Sequence, residues 1–186
     1  MLEGDGAAAP QVHCQFRGWG RGDDATMRLS DEQIQNCIGW VARYTAPEAV
    51  GAAAIRYFAL AVNDCNPVYV DAEAARRAGH RSVIAPPTFV CETNQFMDGA
   101  ADANGYMGHT WDLDVVGCRW VRGGNAYEFG RPVSAEDVIT VVWRLALAEN
   151  KISRVGEEML MIVSEANYTD QQGEFLAYNR ETMFYF

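Results

Sequence analysis

A chain of 186 residues that is 49% apolar and 22% charged is long enough for one sizeable core and too apolar for wholesale disorder. Its net charge of −10 argues against nucleic acid as the main partner, because phosphate backbones need a surplus of Lys and Arg on some face. Small anions remain compatible, and Lys151 is the only lysine, so positive charge is carried almost entirely by the forked guanidinium.

Cys14, Cys37, Cys65, Cys91 and Cys118 are odd in number, widely spaced and free of any C-x-x-C pair. That pattern fits reduced structural thiols in the cytoplasm. With three scattered histidines, no metal cluster is expected. The opening MLEGDGAAAP has no basic region followed by an apolar core, and no later run reaches membrane-spanning length. A soluble, cytoplasmic protein with no membrane contact is the expectation.

Residues 1–29 are Gly- and Asp-rich and aperiodic, and read as an irregular arm; residues 30–186 read as one domain. Gly18, Gly20 and Gly22 complete no dinucleotide fingerprint. Ser30 and Gln33 have capping-box spacing, which predicts a short helix from Asp31. Thr45 and Glu48 repeat the spacing ahead of an apolar stripe at Ile55, Phe58, Ala59 and Val62, predicting a helix over 48–62. Asn63-Asp64 and Asn66-Pro67 then make a rigid corner. Asp71 is an N-cap for the next short helix and Gly79 its stop. Pro86-Pro87 opens a further helix at about 87–97.

Beyond an undefined stretch holding Trp111 and Trp120, the period changes. Ile139, Val141, Trp143, Leu145 and Leu147 alternate with Thr140, Arg144 and small residues, as in a strand with one buried face. Segments 126–133, 157–169 and 174–186 have strand composition between turn-forming clusters. Helices first and antiparallel strands last predict an α+β fold with a sheet wrapping a helix.

The stretch IRYFALAVNDCNPVYVDAEAARRAGHRSVIAPPTF resembles the MaoC-like dehydratases, the hotdog-fold (R)-specific enoyl-CoA hydratases and acyl dehydratases, and especially their N-terminal-type domains. The later RPVSAEDV resembles the family's Arg-Pro-x-x-x-Gly-Asp lead into the long strands, with Glu136 in the glycine position. The likeness spans about residues 40–186. It implies a curved antiparallel sheet around one central helix, paired with a second hotdog unit, and an acyl-CoA thioester substrate. Coenzyme A would arrive on the substrate, so no separate cofactor is implied.

Hydrating an enoyl thioester requires an acid–base pair for water and a donor for the developing oxyanion. In the family's Asp-x-Asn-Pro-x-His motif, an Asp and a His handle the water. Asp64, Asn66 and Pro67 match it, but Tyr69 stands at the histidine position. A phenol titrating near ~10 is a poor proton shuttle beside imidazole. The family also places a His-Gly pair at the start of the central helix, where a backbone N–H meets the thioester oxygen. Aligned through Ile84-Ala85, that pair is Pro86-Pro87 here, and proline has no N–H. Thr88 and Phe89 keep amides at the helix start that can meet an anion weakly.

Each of these residues also has a bland role. Asp64 can be an Asx-type cap closing the preceding helix, Asn66 and Pro67 turn architecture, and Tyr69 a wall residue. Pro86 and Pro87 can simply set the helix direction, and Phe89, Phe96 and Met97 can be core. His80 and His109 read as surface or loop residues. Arg76, Arg77 and Arg81 are the candidates for coenzyme A phosphates, or a solvated helix face. Glu92 lies where some hotdog thioesterases carry an acidic nucleophile or base, or is an interface carboxylate.

With base and oxyanion donor both missing, the expectation is a non-catalytic, acyl-binding half of a dehydratase or hydratase, joined to a catalytic hotdog subunit. The competing expectations are a homodimeric enzyme, either a hydratase through Asp64 and Tyr69 or a thioesterase through Glu92, and a non-enzymatic acyl-thioester binding module.

Overall fold

The computed structural model describes residues 28–91, 108–115 and 119–186. Helix α1 (Asp31–Cys37) opens with the predicted capping box: Gln33 N–H donates to Ser30 Oγ and Gln33 Oε1 accepts from Ser30 N–H. Strand β1 (Val41–Thr45) follows, then α2 (Ala52–Ala61), a 3-10 turn at Pro67–Tyr69, α3 (Ala72–Arg77) and a second 3-10 turn at Pro87–Cys91. Four long strands finish the chain: β2 (Trp120–Phe129), β3 (Thr140–Ile152), β4 (Glu158–Thr169) and β5 (Phe175–Tyr185). They form one antiparallel sheet in the order β1-β3-β4-β5-β2.

The sheet has one apolar face and one charged face. Val141 and Trp143 of β3, Ala166 and Tyr168 of β4, and Ala177 of β5 are buried in a cluster with Ile55, Phe89 and Val90. On the opposite face Arg144, Glu165 and Arg180 stand in one cross-strand row, and both arginines ion-pair with Glu165 at 2.6 Å. A hydrogen bond from Arg144, working against burial, helps hold the Glu165 carboxyl below its ordinary range. The period-2 alternation anticipated for β3 holds through Leu145. A register shift between Leu145 and Leu147 then reverses the phase, so that Ala148 is buried and Leu147 only half-buried.

Three boundaries differ from the sequence expectation. The helix expected over 48–62 begins at Ala52, because Thr45 ends β1 and its hydroxyl faces that of Thr140 at 2.9 Å instead of capping a helix. Gly51, at φ +78°, makes the turn into α2. The strand expected over 126–133 begins six residues earlier, at Trp120, and ends at Phe129. Its first half carries Gly123 and Gly124 at a bulge, which hid the period. The helix expected over 87–97 is described only for its first turn, which is 3-10; Glu92, Phe96 and Met97 lie outside the described residues, as do 1–27 of the expected arm.

The loop between β2 and β3 is fixed by Arg131. Its guanidinium donates to both oxygens of Asp137 (2.7 and 3.0 Å), to Asp170 Oδ2 (2.5 Å) and to Glu174 Oε2 (2.8 Å). These charge-assisted bonds, the first of them to Asp137, raise the Arg131 pKa. This is the Arg-Pro-x-x-x-x-Asp stretch singled out in the sequence, and it gives the candidate site its frame.

Candidate functional site

The Asn-Asp-x-Asn-Pro corner is a chain of side-chain-to-backbone hydrogen bonds. Asn63 takes a left-handed conformation, φ +56°, and ends α2. Asp64 Oδ1 accepts the Asn66 N–H at 3.1 Å, and Asn66 Oδ1 accepts the Val68 N–H at 3.3 Å. Pro67 follows as the first residue of the 3-10 turn, where no N–H is needed. Asp71 then caps α3 through the Glu73 N–H at 2.8 Å, and Gly79, at φ +92°, stops it.

This corner is tied to the double-proline segment through the backbone. Ile84 N–H donates to the Val68 carbonyl at 3.2 Å, Ile84 bridges Ser134, and Ala85 N–H donates to the Val133 carbonyl at 2.8 Å. Glu136, at the family's glycine position, accepts the Ser82 hydroxyl at 2.8 Å. The Arg131 loop therefore holds residues 82–85, and those hold the turn carrying Tyr69.

Asp64, Asn66 and Tyr69 are thus brought together. Asp64 and Asn66 are exposed, and Tyr69 is half-buried against the main core cluster. Burial pushes the Tyr69 phenol up and the negative charge of Asp64 pushes it further, while a hydrogen bond with Asn66 acts in the opposite direction. The phenol stays protonated at neutral pH and can donate a hydrogen bond. It offers no group that exchanges protons near neutrality.

Pro86 is buried, whereas Pro87 and Thr88 are exposed. Phe89 does not keep the free amide expected of it, because its N–H donates to the Pro86 carbonyl at 3.0 Å, closing the 3-10 turn. Its ring is buried edge-on against Phe58, with centroids 5.2 Å apart. Of the two amides considered, that of Thr88 is left. Arg76, Arg77 and Arg81 are all exposed; Arg77 pairs at 3.7 Å with Glu73 of the same helix. Among the described residues, no group of three or more His, Cys, Asp and Glu could hold a metal ion.

The sequence predicts a surface or loop position for His109. It does lie in an irregular segment, but its ring is enclosed by aromatic side chains and only partly reaches solvent. Burial lowers its pKa to about 3, so the imidazole is neutral. Sequence spacing carried no signal for this, since its neighbours Tyr44 and Trp143 come from two different strands.

A five-stranded antiparallel sheet with this corner and double-proline turn packed on its apolar face defines a hotdog unit of the dehydratase class. Residues 36–178 match the family described as FAS1-like, dehydratase domain region, and the chain belongs to that family of MaoC-like hotdog proteins. Among its relatives is a UPF0336 protein of Streptomyces coelicolor, 39% identical over 140 residues, which are 75% of this chain and 86% of the relative. Its fold is similar to a chain of the ChsH1-ChsH2 complex from Mycobacterium tuberculosis, with TM-score 0.59 and 20% identity over 77% of this chain and 82% of that one. It is also similar to the HadBC (3R-hydroxyacyl-ACP dehydratase) complex from the same organism, with TM-score 0.58 and 21% identity over 80% and 96% of the two chains. At those identities the likeness is one of fold. No helix among the described residues is long and apolar enough to cross a membrane.

Proposed function

We propose that this chain is the acyl-binding, non-catalytic half of a two-subunit hydro-lyase that interconverts enoyl and 3-hydroxyacyl thioesters of coenzyme A. The observation that carries the reading is Tyr69 beside Asp64 and Asn66: a protonated phenol stands where water activation needs an imidazole. Pro86 and Pro87 add a second deficit, since the start of the central segment has no N–H at the position that would meet the thioester oxygen. The two similar structures named above are the ChsH1-ChsH2 complex and the HadBC complex, which supports a hotdog partner for this chain.

In this reading the partner supplies an Asp-x-Asn-Pro-x-His pair and the oxyanion amide. This chain contributes apolar wall from Phe89 and Tyr69, the Thr88 amide, and phosphate contacts from Arg76, Arg77 and Arg81. Coenzyme A enters as part of the substrate, and the reaction is assigned to the cytoplasm. The deciding experiment is to purify the chain alone and co-expressed with a hotdog protein encoded beside it, then to assay enoyl-CoA hydration. Activity should require both chains and vanish when the partner's motif histidine is replaced. Full activity of this chain alone refutes the division of labour.

A further inference from the structure

Residues 28–38 pack on β3 and β4 and close a second apolar cluster. Leu29 and Cys37 are buried there with Leu145 and Ala148 of β3 and Leu160 and Ile162 of β4, and Ile34 is half-buried beside them. Apart from Gln33, also half-buried, every other residue of the segment is exposed. A helix of seven residues is too short to hold itself in water, so α1 stays in place through these contacts and its attachments.

The attachments are unequal. Among the described residues, three side chains hydrogen-bond residues 28–38 to the rest of the chain. Glu158 accepts from Arg28 at 3.0 Å, and Asp114 accepts from Gln33 Nε2 at 3.1 Å. Both bonds are exposed, and exposed pairs of this kind contribute little. Asn150 of β3 holds the backbone of Leu29 from both sides: its Oδ1 accepts the Leu29 N–H at 3.2 Å and its Nδ2 donates to the Leu29 carbonyl at 2.7 Å. The amide thus does for Leu29 what a neighbouring strand would do, and these two bonds are part-buried.

Backbone pairing with the sheet starts where the segment ends. Gly39 N–H donates to the Leu145 carbonyl at 2.8 Å, and the Trp40 carbonyl accepts the Leu145 N–H at 2.9 Å. Gly39 has φ +91° and open space where a Cβ would sit, so it forms the joint between α1 and β1.

We propose that residues 28–38 are a hinged strap with Asn150 as its latch: they open as one unit about Gly39, uncovering Leu145, Leu160 and Ile162 while the sheet stays paired. Segments with few buried side chains and exposed hydrogen bonds open more readily than core strands. The sheet beneath does not depend on the strap, because β3 and β4 pair with each other from Thr140–Thr169 to Ile152–Glu158. Trp111 packs both on this cluster and on the cluster that Phe89 and Tyr69 join, so the strap's position bears on the packing beside the candidate site. The strap does not rest on the function proposed above.

Cys37, buried at the end of α1, is a built-in reporter, and the exposed Cys65 is its reference. Iodoacetamide labelling of the full-length chain, resolved by peptide mass spectrometry, is followed in rising sub-denaturing urea alongside amide hydrogen exchange. In the wild type, Cys37 and the α1 amides should report one common opening with a weaker urea dependence than the amides of β4 and β5, since less surface is exposed. Asn150→Leu keeps the size of the side chain and removes both hydrogen bonds. It should raise the Cys37 labelling rate about tenfold, as the loss of two ordinary hydrogen bonds predicts, and leave Cys65 and the β4 and β5 amides within about twofold. Labelling of Cys37 only at the rate and urea dependence of global unfolding, or a rise in N150L shared equally by the sheet amides, overturns the proposal. The wild-type comparison decides the matter by itself if N150L does not fold.

Discussion

Replacing Arg131 by Met removes one cation from two buried carboxylates. The side chains of Asp137 and Asp170 are 6% and 2% exposed, and Arg131 itself 27%. Breaking a buried ion pair by deleting one partner costs about 3–5 kcal/mol. Two features place this case at the lower end. Asp137 keeps the Ser134 N–H at 2.7 Å, and Asp170 keeps the Gln172 and Glu174 amides, both at 2.8 Å. A loss of about 3 kcal/mol corresponds to a melting temperature lower by roughly 6–12 °C for a chain of this size. Urea and thermal unfolding at pH 7 measure it.

The pH dependence gives an internal check. Burial pushes the Asp170 carboxyl up, but the Glu174 amide, the Arg131 guanidinium and the Gln172 amide together hold it below its ordinary value. A carboxyl with a depressed folded pKa contributes stability that is present above its unfolded value near ~3.9 and is lost as pH falls through the folded one. The gap between wild type and R131M should therefore hold steady from pH 7 to about pH 4 and narrow below that. A gap under about 1 kcal/mol at pH 7, the range of an exposed pair, would refute the claim that this network braces the loop.

Gly130→Ala should destabilise by about 1–3 kcal/mol in urea unfolding, because the added Cβ would sit 2.5 Å from the Phe175 carbonyl oxygen, which is backbone and cannot swing aside; a neutral result would mean that β2 and β5 can separate locally. His109 is held neutral, with a folded pKa of about 3 against an ordinary 6.5. The unfolded chain therefore binds the extra proton between those values, and stability should fall with falling pH by up to about 1.4 kcal/mol per pH unit. H109F should flatten that part of the profile, and an unchanged slope would contradict the burial described. Tyr69→His restores an imidazole but not the amide, whose loss alone typically costs ~10²–10³ in rate. The purified single chain should remain without measurable enoyl-CoA hydration, and vigorous turnover by Y69H would show that the prolines are no obstacle.

Local chemistry was readable where a residue acts on its own neighbourhood. Ser30 caps through a backbone three residues on, Asp71 two residues on, and Asn63, Asp64, Asn66 and Pro67 stop one helix and start a turn within seven residues. The α+β class and the one-sided burial of β3 followed from periodicity, because Val141, Trp143 and Leu145 need no information beyond alternation. The resemblance to MaoC-like proteins named the fold, and the mismatch at Tyr69 and the double proline framed the functional question before any geometry was known.

Thr45 had the spacing of a cap, yet its hydroxyl went to Thr140, 95 residues away, once β1 paired with β3. Arg131 had the look of a family motif, but only the fold gathered Asp137, Asp170 and Glu174 around it. His109 sat in an aperiodic stretch with nothing to distinguish it from a surface residue until β1 and β3 closed over it. The sequence determined what each residue can do through bonds to its near neighbours and the period of its own segment. Sheet closure decided which distant groups meet, because burial, pKa and hydrogen-bond pairing depend on what the opposite strand presents.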